Sequence, residues 1–186
     1  MVEFTLSFPI SMSTDGPTTF TVELAPVTDM PHTVVTFLDL VHLQLFDGTA
    51  FVSANSQQIE GGSPNNADVS RSVKLYETYA RYGYTRTPLG FNEYSEKHPH
   101  APFTIGFVGY PHAGPGLAIN MADNTKSRGP GSDGMGGQPC FGTIVSGFDT
   151  LTRIQAAPRS VDGYRFAKNV EIKSVRLVNV VNHFVT

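Results

Sequence analysis

Apolar residues in this chain fall largely into short alternating runs separated by glycine and proline. Phe4, Leu6, Phe8 and Ile10 alternate with Thr5, Ser7 and Pro9, and after the Asp15-Gly16-Pro17 turn the pattern returns at Phe20, Val22 and Leu24. A period of two puts successive side chains on opposite faces of a pleated strand. Each run therefore reads as a half-buried strand, and the first two as a hairpin. Phe103, Ile105 and Phe107 form another such run, and Leu117, Ile119 and Met121 a further one. Near the end, Val170 and Ile172 alternate on one phase and Val175 and Leu177 on the other, a switch that a bulge near Ser174 explains. Eighteen glycines and 13 prolines supply the turns that so many short strands need.

Two segments follow a helical period instead. Val34, Leu38, Val41 and Leu45 recur at helical spacing beside Phe37, and Asp29 or Pro31 suits the start of that helix. A second, shorter helix is expected from Phe148 to Ile154. The result is a mainly β fold, a closed antiparallel β-barrel capped by two helices. All 186 residues fit one domain. Residues 65–100 form a tyrosine-rich excursion within it, where the pattern weakens.

Composition removes several function classes. The net charge of -3 gives no general reason to bind nucleic acid or an anionic membrane. Arg71, Lys74, Arg81 and Arg86 alternate with Tyr76, Tyr79, Tyr82 and Tyr84, but Glu77, Glu93 and Glu96 dilute their field, so the run reads as surface packed on the body. No apolar stretch reaches the length of a membrane-spanning helix and no secretory leader opens the chain, so the default expectation is cytoplasmic. The single cysteine, Cys140, excludes an internal disulfide and reads as a small core residue. His98 and His100 lie among prolines and read as a loop pair rather than metal ligands. The glycine-rich segment from Gly129 to Gly134 lacks the Gly-Lys-Ser/Thr ending of a phosphate cradle. No cofactor or metal is expected.

Several motifs, in order along nearly the whole chain, resemble those of the cyclophilins, a family of peptidyl-prolyl cis-trans isomerases. Phe46-Asp47-Gly48-Thr49-Ala50-Phe51 resembles the family's Tyr-Asp-Gly-Thr-x-Phe, and Gly61-Gly62 its Gln-Gly-Gly. His112-Ala113-Gly114-Pro115-Gly116 resembles its His-x-Gly-Pro-Gly, and Met121-Ala122 its Met-Ala. The segment from Cys140 to Asp149 follows its Val-Phe-Gly-x-Val-x-x-Gly-Met-Asp. The resemblance implies a barrel whose face binds proline-containing peptides through Phe51, Ser53, Gln58, Ile59, Glu60, Met121 and Ala122.

The same resemblance exposes departures. Where the family has His-Arg after its phenylalanine, this chain has Val52-Ser53. Its Gly-Ser-Gln-Phe-Phe and Trp-Leu-Asp-Gly-x-His segments have no clear counterpart between Ala122 and Cys140. In the family that arginine donates to the twisting prolyl amide, and losing one such fixed donor costs roughly a hundred- to a thousand-fold in rate. Ser53 is too short to replace it. The expectation is a protein that binds proline-containing or basic peptide segments with weak or absent isomerase activity. An active isomerase with a relocated donor, Arg128 or Arg71, is the first alternative. A structural or assembly module that uses the tyrosine-rich excursion is the second.

Overall fold

The computed structural model describes residues 1–84, 88–109, 113–132 and 136–178. The expectations for Arg86, for Tyr110, Pro111 and His112, for Asp133 and for the tail beyond residue 178 lie outside the described residues.

Among the described residues there are eight strands: β1 (Val2–Ser7), β2 (Thr19–Leu24), β3 (Ala50–Ala54), β4 (Gln58–Gly61), β5 (Thr104–Phe107), β6 (Leu117–Asn120), β7 (Cys140–Ser146) and β8 (Arg165–Leu177). They close into a barrel in the order β1-β2-β7-β5-β6-β4-β3-β8, with every neighbour antiparallel. The opening hairpin forms as its alternation requires, with Phe4 opposite Phe20 and their rings stacked at 4.6 Å. The phase switch in β8 is a bulge: Thr5 faces Ser174 and Leu6 faces Ile172, which leaves Lys173 as the extra residue.

The inward phase of each strand fills the barrel with aromatic rings. Helix α1 (Pro31–His42) drives Phe37 into them, 4.6 Å from Phe141, 5.5 Å from Phe46 and 6.2 Å from Phe107. Truncating a side chain so placed to alanine costs about 3–5 kcal/mol. Met30 brings no side-chain cap to α1. Glu93 takes that role from a distant loop, accepting the Thr33 N–H at 2.7 Å and the His32 N–H at 3.3 Å, where the positive end of the helix favours a carboxylate. Asp29 is occupied with Lys97 and His98 of the same strap. Helix α4 (Phe148–Gln155) buries Leu151 and Ile154 and ties itself to β2 through the Thr150 hydroxyl, which donates to Thr19 O at 2.6 Å.

The helix content exceeds the two helices expected. The tyrosine-rich excursion contains α2 (Val69–Arg81), and a short α3 (Thr125–Arg128) lies in the glycine-rich stretch. Asp68 caps α2 by accepting the Arg71 N–H. At its other end Gly83 takes φ +76°, with Gly83 N–H bonded to Ala80 O and Tyr84 N–H to Tyr79 O. This is the glycine-dependent termination of a helix. Leu75 and Tyr79 are its buried side chains, so its apolar stripe is too narrow to stand out as a period.

The Phe46-Asp47-Gly48-Thr49 motif has a structural role. The Asp47 carboxylate receives Arg176 at 2.6 and 3.0 Å and the Val175 N–H at 3.2 Å, fastening the turn after α1 to β8.

Candidate peptide-binding face

Alternation on β4 divides the residues named for peptide binding into two groups. Ile59 and Gly61 point into the barrel, while Gln58 and Glu60 point out. Gly61 must be glycine, because a Cβ there would sit 2.2 Å from Ala50 O. On β3 a bulge between Phe51 and Ser53 changes the side presented. Phe51 faces inward with no exposure, its ring 6.3 Å from Phe20, whereas Ser53 pairs with Glu60 on the outside. The sequence expectation is therefore corrected for Phe51 and Ile59, which are core residues and cannot touch a peptide on the outer face. Met121 and Ala122 follow β6 directly and are half-buried.

Register carries the outer face across the sheet. Glu60 pairs with Ala118 of β6, Ala118 with Gly106 of β5, and Gly106 with Cys140 of β7. Gln58 pairs with Asn120. Over this row fold the segment after β6, with Asn124 on Asn120, and the loop before β5, with His100 on Asn120 and Pro99 on Cys140, which is how Asn120 and Cys140 become buried while facing outward. Cys140 is thus absent from the barrel core. Its thiol bonds Pro99 O at 3.4 Å, and burial pushes its pKa up to about 11.

The segment after β6 delivers Arg128. Asn124, ahead of α3, donates to Asn120 Oδ1 and to Gln57 O, both at 2.9 Å, and its own N–H bonds His100 O. This anchors α3 on the sheet and sends Arg128 toward β4. Its guanidinium donates from Nε and Nη2 to Gln58 Oε1, from Nη1 to Gln138 Oε1 at 2.8 Å, and from Nη2 to Glu60 Oε1 at 3.3 Å. Arg128 is only 8% exposed; burial lowers its pKa while Glu60 works to raise it. Arg71 ends elsewhere. Its Nε donates to Asp47 O at 2.9 Å and its Nη2 to Gln44 O at 3.4 Å, so it braces the turn after α1 and is removed as a donor at this face.

Two residues of the arrangement were not legible beforehand. Tyr164, on the approach to β8, donates its hydroxyl to Glu60 Oε2 at 2.8 Å, and that bond is the main reason its pKa is raised. His100 lies beneath Arg128 in a polar cluster: Nε2 lies 3.0 Å from Gln138 O and Nδ1 lies 3.2 Å from Asn120 Nδ2. These partners define a neutral ring with the proton on Nε2, donating to the carbonyl and accepting from the amide. Burial accordingly lowers the His100 pKa to about 4.

A family model described as cyclophilin type peptidyl-prolyl cis-trans isomerase/CLD matches residues 9–177. The chain belongs to this family. None of the curated proteins matches it. Two solved structures similar to this cyclophilin-family chain are of a cyclophilin type peptidyl-prolyl cis-trans isomerase from Cryptosporidium parvum, one of them in the presence of the dipeptide Ala-Pro. Each has a TM-score of 0.69 and 16% identity over 96% of this chain, and covers 97% and 99% of the respective solved chain. At that identity the likeness speaks for the fold, which agrees with the closed barrel.

Proposed function

We propose that this cyclophilin-family chain binds proline-containing peptide or protein segments on the outer face of β3 and β4, beside Met121 and Ala122, with weak or no isomerase activity toward them. The observation that carries the reading is the pairing of Ser53 with Glu60 on the outer face, where the resemblance implies an arginine next to a glutamine. A hydroxyl at Ser53, 2% exposed, cannot extend a donor over a bound prolyl amide. The Glu60 charge does not favour basic segments as strongly as the sequence alone implies, because Arg128 and Tyr164 already hold that carboxylate. Proline, rather than positive charge, is the element recognised.

Arg128 favours a second reading, an active isomerase with its donor brought in from α3. It reaches the right face. Against it, Gln58, Glu60 and Gln138 occupy its guanidinium. Calorimetric titration with the peptide Ala-Ala-Pro-Phe and with its analogue Ala-Ala-Ala-Phe tests the binding claim. The proline peptide binds measurably more tightly; equal heats and affinities for both peptides overturn the reading.

A further inference from the structure

Across the β3–β8 seam, Ser53 pairs with Arg165. The row Arg165, Ser53, Glu60, Ala118 thus runs over four adjacent strands on one outer face. Three further observations fix where Arg165 stands. Its neighbour Phe166 is buried in the barrel core, so alternation turns Arg165 outward. Its backbone is held on both sides, the N–H by Asp162 Oδ1 at 3.1 Å and the carbonyl by the Ser160 N–H at 2.8 Å. Its side chain is exposed and, among the described residues, its guanidinium makes no hydrogen bond or ion pair. This contrasts with Arg128, Arg71, Arg153 and Arg176, whose guanidiniums are all bonded within the fold.

We propose that Arg165 is the catalytic donor of this protein, serving from β8 the amide that Ser53 cannot reach from β3. The proposal rests on the peptide-binding reading above. Directly opposed residues in an antiparallel pair have Cβ atoms about 4.5–5.5 Å apart. An arginine stem from the neighbouring strand therefore starts within reach of the space above position 53, beside the Tyr164 hydroxyl that sits on Glu60. The chemistry needs no bond made or broken between heavy atoms and no proton transferred. Rotation about the prolyl C–N bond breaks amide resonance and localises the nitrogen lone pair, and a guanidinium N–H directed at that lone pair stabilises the twisted state. An exposed arginine with no hydrogen bond to hold its guanidinium, and only the Asp162 charge nearby among the described residues, gives a weaker effect than a fixed one. That agrees with low rather than absent activity.

The test is exchange NMR on Ala-Ala-Pro-Phe with the full chain, its Arg165→Ala variant and its Arg165→Lys variant, while amide shifts at Ser53 and Glu60 report binding. The exposed position keeps the variants folded, which the amide spectrum checks. The expected result is cis–trans exchange accelerated by the unaltered chain, a fall of about a hundredfold in Arg165→Ala with binding shifts retained, and partial activity in Arg165→Lys. Unchanged exchange in Arg165→Ala overturns the proposal. Binding shifts without any exchange in the unaltered chain also overturn it while leaving the peptide-binding reading standing. If neither appears, both fall.

Discussion

Glu60 Oε1 lies 3.3 Å from Arg128 Nη2 on the outer face of β4, and the hydroxyl of Tyr164 holds the other carboxylate oxygen at 2.8 Å. A carboxylate, a guanidinium and a phenol from three separate parts of the chain thus converge on the strand where the peptide is proposed to lie. The arrangement is a fastening as much as a surface, because it pins the segment after β6 to the sheet.

Removing one partner of that pair has an unequal effect. Arg128→Ala takes the counter-charge from Glu60, which keeps only the Tyr164 hydroxyl and the Gln58 amide, and leaves Gln58 Oε1 and Gln138 Oε1 without their donor, a loss of roughly 2–3 kcal/mol since Glu60 keeps some access to water. Glu60→Gln keeps one acceptor oxygen for Arg128 and turns its amide N–H toward the Tyr164 hydroxyl, which can accept as well as donate, and so costs under about 1 kcal/mol. Urea unfolding of the two variants measures the difference. Equal midpoints for both variants contradict the fastening role of Arg128.

Protonation of His100 disrupts the same cluster. Its folded pKa of about 4 lies below the ordinary 6.5, so between these values the unfolded chain binds more protons and stability rises with pH. Acidification from pH 6.5 to 4 therefore removes stability, by roughly 3 kcal/mol if His100 acts alone. Thermal melts of the unaltered chain and of His100→Gln across this range test it. The variant shows a visibly flatter slope, and parallel slopes refute the assignment.

Cys140 supplies a built-in reporter of the covering segments. Buried under them with its pKa raised to about 11, the thiol stays almost entirely protonated at pH 8. A disulfide reagent added to folded protein modifies it at least tenfold more slowly than in urea. Equal rates in the two conditions mean that the segments do not cover β7 as described.

The barrel was legible because alternation is local: Phe4 and Leu6, Phe20 and Val22, Ile105 and Phe107 each mark their inner face without reference to any partner strand. Helix α2 was not, because Leu75 and Tyr79 are a sparse stripe, although Asp68 and Gly83 stood at the cap and stop positions where helix punctuation would be sought. Motif resemblance located β3 and β4 but not which way each residue points, so Phe51 and Ile59 were grouped with Ser53 and Glu60 although they occupy the opposite face. The pairing of Ser53 with Arg165 was beyond the sequence for a different reason. The β3–β8 register slips between Phe51, opposite Val170, and Ser53, opposite Arg165, so no fixed spacing encodes the contact. Arg128 was named as a loop arginine, and only the anchoring of α3 through Asn124 turns it onto the sheet.

The peptide-binding face is the central claim, and mapping amide shifts during titration of the full chain with Ala-Ala-Pro-Phe tests it most directly. The account predicts saturable shifts concentrated at Ser53, Gln58, Glu60, Tyr164 and Arg165. Shifts confined to another surface, such as the groove lined by Phe8, Met12 and Arg153, or no saturable shift at all, contradict it.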